Sequence, residues 1–287
     1  MDKKFHSAIK AVKTGDLGLF QQSLKDDPSL AIARSSTSHP TLLQCVALDG
    51  LNVTNNVEMA KLLIEAGAQL DEPLVACASI GNLEVGSLLL DAGADINNAM
   101  GWSPLEEALY WGNESFVSLL LDRGAAVKNL RTAAGLGRLD LLNAFFSTDG
   151  TLKPGAGRID WPFGEPQKSN LNQKTKDCLQ SAIDHWSNEP RAIINNAFIY
   201  ACMGNHIEAA KFLLEKGAEI NEIPFGFDYA GTGLHYAALR GHREMVDFLL
   251  LHGADARIKD SKIGNTASGW ADYGGHSQLR DYLSQLE

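Results

Sequence analysis

Eight histidines, four cysteines and a scatter of carboxylates are the groups in this chain that could do chemistry, and their spacing argues against most of it. Zinc takes paired Cys or His ligands at short intervals. The histidines at 6, 39, 185, 206, 235, 242, 252 and 276 form no H-x-x-x-H, and Cys45, Cys77, Cys178 and Cys202 form no C-x-x-C. The strained turn G-x-S-x-G that presents a nucleophilic serine is absent. Gly155-Ala156-Gly157 lacks the flanking strand, third glycine and Lys-Ser/Thr of a phosphate loop, and reads as a turn. Asp149, Asp160, Glu165 and His185 share one stretch and are the set that could serve as an acid and base, without a spacing that requires it. No catalytic residue, metal ligand or cofactor is therefore expected.

The elements around these residues are more informative, because they recur. A helix-ending phrase appears as LLIEAGAQL from Leu62, LLLDAGADIN from Leu88, LLLDRGAAV from Leu119, FLLEKGAEIN from Phe212 and FLLLHGADA from Phe248. A short Ala- and Leu-rich helix closing on glycine precedes each. These glycines fall at 15, 50, 81, 112, 137, 204, 241 and 275, with spacings of 35, 31, 31, 25, 67, 37 and 34. The glycine is expected to supply a left-handed turn into a second helix with apolar residues at i, i+3 and i+4. Such a pair is apolar on both broad faces, so it must stack on its neighbours.

The stretch GTGLHYAALRGHREMVDFLLLHGADARIKD, Gly231 to Asp260, resembles an ankyrin repeat, and WSPLEEALYWGNESFVSLLLDRGAAV, Trp102 to Val127, resembles a second unit. The resemblance covers residues 3–147 and 190–287, with Gly233 in place of the usual proline and with Gln69 and Ala126 in place of the usual aspartate. It implies an all-α solenoid of stacked helix-turn-helix units, interrupted by a mid-chain insertion over 148–189. The expected organisation is N-terminal repeats over 3–147, the insertion, and C-terminal repeats over 190–287 stacked with the first set. By the same resemblance, His235 is a structural histidine bonded to the loop of its own or the next repeat, and His242 and His276 bridge adjacent loops.

The insertion opens with a Pro- and Gly-rich loop and continues in a helix expected over 171–186, whose Ile183 and Trp186 would face the repeats. Trp161, Phe163 and Trp186 could cover a seam there. Phe225, Phe227 and Tyr229 alternate in a second lengthened loop.

Family resemblance points the two residues before each turn glycine into a concave groove. The apolar and aromatic members of this row are Leu48, Ile80, Tyr110, Trp111, Leu136, Met203, Leu239 and Tyr273, joined by Arg240. A contiguous apolar row is expected to meet a protein partner. With 25 Lys and Arg against 35 Asp and Glu, the net charge of −10 disfavours nucleic acid and anionic membrane and favours a partner with a basic or amphipathic docking element. No apolar run is long enough to span a membrane, and isolated cysteines without a Sec-type signal suit the cytoplasm. The expected function is a non-enzymatic protein-protein interaction module. Two alternatives stay open: an enzyme or small-ligand binder whose site the insertion builds from Asp160, Trp161 and His185, and a secreted effector engaging a host protein.

Overall fold

The computed structural model describes residues 3–35, 41–98, 103–158, 172–224 and 230–287. Asp160, Trp161, Phe163, Glu165, Phe225, Phe227 and Tyr229, singled out above, lie outside them. The described residues are all-α, with two isolated antiparallel bridges, Arg34 to Thr41 and Phe146 to Leu152. Two compact units are present, divided between Ala126 and Val127, one repeat earlier than the insertion.

The first unit contains α1 (His6–Thr14), α2 (Leu17–Asp26), α3 (Leu42–Asp49), α4 (Asn56–Glu65), α5 (Asp71–Ile80), α6 (Leu83–Asp91), α7 (Pro104–Trp111) and α8 (Glu114–Asp122). Each odd-numbered helix packs on the next odd one, and α2, α4, α6 and α8 stack in sequence behind them. The odd helices are the inner layer. The core runs between the layers, through Phe20, Leu43, Leu63, Leu74, Leu89, Phe116 and Leu120. Close approach is set by small residues: a methyl group added at Gly86 would lie 2.5 Å from the Phe116 ring.

The second unit contains α9 (Leu130–Gly135), α10 (Leu139–Ala144), α11 (Gln173–Asn188), α12 (Pro190–Met203), α13 (Ile207–Glu215), α14 (Gly233–Leu239), α15 (Arg243–Leu251), α16 (Ala267–Tyr273) and α17 (Ser277–Ser284). Its inner layer runs α9, α12, α14, α16. Thus α9 and α12 pack as consecutive inner helices although the insertion separates them in sequence. The insertion helix begins at Gln173 because Asn172 caps it, accepting from the Thr175 amide at 2.9 Å. Its Ile183 and Trp186 are buried, as their spacing predicts, and α11 packs on α12. The loop ahead of it is tied to α9: Leu130 N donates to Ala156 O at 2.8 Å, and Asn129 Nδ2 to Arg158 O at 2.9 Å.

The left-handed residue is not always the expected glycine. Gly50 and Gly204 are right-handed, with φ of −86° and −87°, and the positive angles fall on Asn52, Asn55 and Asn205. After glycine, asparagine is among the residues that most readily take this conformation.

Candidate functional site

The site expected from the sequence is the row of inner-helix ends, and one bond type registers it. In the first unit Asn55 Nδ2 donates to Gly15 O at 2.9 Å, Asn82 Nδ2 to Ala47 O at 2.9 Å, and Asn113 Nδ2 to Ala78 O at 2.7 Å. In the second, histidine replaces asparagine: His206 Nε2 meets Gly135 O at 2.9 Å and His242 Nε2 meets Met203 O at 2.9 Å. Each bond satisfies a carbonyl at the end of one inner helix from the next repeat, so successive ends are held side by side. The expected bridging by His242 is therefore present. His235 also does what was expected, twice. Its Nδ1 meets Thr232 Oγ1 at 2.9 Å in its own repeat, and its Nε2 meets Asn265 O at 3.2 Å in the next. Burial pushes the His235 pKa down, against an opposing pull from the Asn265 carbonyl and Asp260.

In the first unit, Leu48, Ile80 and Tyr110 are half-buried, and Trp111 is 56% exposed. Gly112, at φ 75°, ends α7 immediately after Trp111. The indole is fixed in place: its Nε1 donates to Glu107 Oε1 at 2.8 Å, one helical turn back, and Tyr110 meets it edge to face with centroids 5.3 Å apart. Glu107 was missed by sequence reasoning, although its i, i+4 spacing to Trp111 was there to find. At the other end of this row, Lys13 of α1 pairs with Asp49 of α3 at 3.6 Å.

In the second unit, Leu136, Leu239 and Arg240 are half-buried and Tyr273 is 89% exposed. Met203 does not belong in an exposed row. It is 1% exposed, and its carbonyl accepts from both Arg240 Nη1, at 3.1 Å, and His242, so side chains of the next repeat lie across this helix end. Asn205 rather than Gly204 turns the chain, but the two residues before Asn205 still include Met203, so its burial follows from the Arg240 and His242 side chains laid over this helix end.

The alternative site in the insertion gathers little among the described residues. Asp149 accepts from Thr151 N at 3.0 Å and Thr151 Oγ1 at 2.7 Å, bonds that cap its own turn and lower its pKa, and His185 is exposed on α11. Among the described residues no group of three His, Cys, Asp or Glu is arranged to hold a metal ion, and no helix is long and apolar enough to cross a membrane. Of the cysteines, Cys45, Cys77 and Cys202 are buried, as small core residues should be, whereas Cys178 is exposed on α11.

Comparison with known proteins bears on the repeats. A family model for ankyrin repeats (3 copies) matches residues 42–131 and 171–260. The chain is 41% identical over 63 residues to palmitoyltransferase ZDHHC13 of Mus musculus, which covers 22% of this chain and 10% of that protein. It is 33% identical over 102 residues to palmitoyltransferase ZDHHC17 of Rattus norvegicus (36% and 16%), and 34% identical over 89 residues to palmitoyltransferase AKR1 of Kluyveromyces lactis (30% and 11%). The chain thus spans only a small part of the length of these relatives. With helix pairs stacked in both units, inter-repeat bonds at corresponding turns, and a family match over more than half of its residues, the chain belongs to the ankyrin-repeat family.

Proposed function

We propose that this chain is a non-enzymatic protein-protein interaction module that meets its partner with the ends of its inner helices. The observation that carries this reading is the set of large side chains left in solvent there, Trp111 above all, on a backbone already held in register by inter-repeat bonds. A prestacked surface gives up little conformational entropy on binding, so more of the contact energy appears as affinity. Aromatic residues and arginine are the side chains that dominate interface energetics, which favours Tyr110, Trp111, Arg240 and Tyr273 as anchors beside Leu48, Ile80, Leu136 and Leu239. The net charge of −10 favours a partner with a basic or amphipathic element. Four free thiols suit a reducing compartment, and we place the protein in the cytoplasm. Palmitoyl transfer is not carried over from the relatives, whose matches reach 16% of their length at most among those compared.

The test is affinity capture with the wild-type chain beside Trp111→Ala and Leu239→Asp variants, each checked for an unchanged melting temperature. Loss of a specific partner by either variant supports the reading. Equal capture by all three refutes it.

A further inference from the structure

From the exposed face of the first helix we infer that the first unit also holds a short acidic segment of a protein partner, with carboxylates spaced as on one side of a helix. This contact goes beyond the row of inner-helix ends proposed above. Its charge is opposite to the one the net charge favours, and no exposed aromatic side chain enters it.

In α1, Ala8, Ile9, Ala11 and Val12 are buried, which leaves His6, Lys10 and Lys13 exposed together at i, i+4 and i+7. These three share one side of the helix over about 10 Å. Lys3 and Lys4, exposed in the 3-10 turn that leads into α1, extend the patch. Little neutralises it. Lys13 meets Asp49 at 3.6 Å, in a pair whose side chains are 58% and 43% exposed, and such pairs contribute little. Lys4 lies over the Phe5 ring, 5.1 Å from its centroid. Among the described residues, Lys3, His6 and Lys10 pair with no carboxylate. The acids of neighbouring α2 are held by bonds of their own. Asp16 accepts from the Leu19 amide at 2.9 Å, Asp26 from Gln22 Nε2 at 2.6 Å, and Asp27 from the Ser29 amide at 3.1 Å.

The rest of the unit has the opposite charge. Residues 1–15 hold 4 Lys against 1 Asp, a net +3, whereas residues 16–126 hold 4 Lys and Arg against 15 Asp and Glu, a net −11. The patch is a basic island in an acidic unit, and that contrast selects its ligand. Duplex nucleic acid and an anionic membrane are extended polyanions, whose charges continue past a patch of about 10 Å onto an acidic surface that repels them. A short acidic segment can end where the patch ends. A helix with glutamate at i, i+4 and i+7 presents carboxylates at the pitch of His6, Lys10 and Lys13, so each meets its own donor. The same acidic surroundings repel that segment from other positions on the unit, which gives the contact its specificity.

The probe is an acetylated, amidated, alanine-rich helical peptide with glutamate at i, i+4 and i+7, titrated into the full chain at low salt while backbone amide signals are followed by NMR. Its control carries glutamine at the same positions. The amides of residues 3–15 are expected to shift with the glutamate peptide. Affinity should fall roughly tenfold with the glutamine peptide and roughly tenfold in the Lys3→Gln/Lys10→Gln/Lys13→Gln variant. Lys25→Gln, on α2, should change it by less than about twofold. Raising sodium chloride from about 20 mM to about 300 mM should weaken binding several-fold. Because the three side chains are exposed, the triple variant should melt with the wild type. Equal affinity for the two peptides, or shifts confined to residues outside 3–15, would overturn the inference. Tighter retention by duplex DNA or by phosphatidylserine vesicles than by the glutamate peptide would overturn it as well. None of these results bears on the inner-helix ends, which the Trp111 and Leu239 variants test separately.

Discussion

Asp260 offers the sharpest test of how the repeat loops are held. Its carboxylate accepts from the amides of Lys262 at 2.8 Å, Ile263 at 2.7 Å and Asn265 at 2.9 Å, and from Trp270 Nε1 at 3.1 Å, with a longer contact from Gly264 at 3.4 Å. Burial alone would raise its pKa, but these donors outweigh burial and hold the carboxyl well below the usual carboxylate range. Hydrogen bonds to a charged group contribute about 1.5–3 kcal/mol each. Summing four of them would overstate the loss, because residues 261–265 are exposed and their amides can bond to water once the loop frays. What is not recovered is the anchoring of Trp270, whose ring packs on His235 at 5.2 Å and Tyr236 at 5.0 Å between centroids, and the order of the turn. We therefore expect Asp260→Ala to cost about 2–4 kcal/mol at neutral pH, and Asp260→Asn about half as much. The sign with pH follows from the depressed folded pKa. The stabilisation is fully present above the unfolded value of about 3.9 and is lost as pH falls below it. Urea unfolding from pH 7 to pH 3, with hydrogen exchange at the Trp270 indole to locate the effect, measures both. A cost below about 0.5 kcal/mol for Asp260→Ala, or the same acid sensitivity in wild type and Asp260→Asn, would refute the reasoning.

Two further outcomes follow from burial and close packing. A maleimide or disulfide reagent should modify Cys178 alone in the native protein. Burial pushes the Cys45 thiol up to about 11, with Asp49 adding to the rise, and burial raises Cys77 and Cys202 as well, so these three should react only on unfolding. More than one fast-reacting thiol per chain would contradict this. Gly157→Ala should destabilise by about 1–3 kcal/mol, because the new methyl would lie 2.3 Å from Ile193 Cγ1 and 2.5 Å from the Trp186 carbonyl oxygen, a backbone atom that cannot swing away. An unchanged melting temperature would show that the loop is free to lift off α11 and α12.

Much of this fold was legible because a repeat states the same physical instruction several times. The GA turn after each outer helix marks where a left-handed residue is needed, and glycine takes positive φ at 67, 93, 124, 217 and 253 as the phrase predicts. Ile183 and Trp186 announced their burial by spacing alone. The misplacements came where another residue type does glycine's work. Asn205 turns the chain that Gly204 was expected to turn, and Met203, expected in the groove, is buried under Arg240 and His242 of the next repeat. Cysteine is a commonly buried residue type, but Cys178 falls on the solvent side of a helix that buries Ile183 and Trp186 instead. At the candidate site, its place before the turn glycine brought out Trp111, whereas the carboxylate that fixes it was overlooked although it stands one helical turn back.

The insertion shows why a nearest-neighbour architecture tolerates long additions. The bond that registers successive repeats spans 35 residues between Asn113 and Ala78 and 39 between His242 and Met203, yet the equivalent bond from His206 to Gly135 spans 71. The outer layer closes across the same gap. Phe146 meets Phe212 edge to face at 5.6 Å, and the Lys216 ammonium lies 4.9 Å and 5.3 Å from their centroids. Repeats five and six thus meet as if nothing intervened. Lengthening a connection costs only about 0.6 kcal/mol for each doubling, far less than the interface retained by leaving the stack intact. An addition placed between complete repeats is consequently free of the packing rules that bind the repeats themselves. It must only find its own burial, which Trp186 supplies against the unit and Gly157 permits by its lack of a side chain.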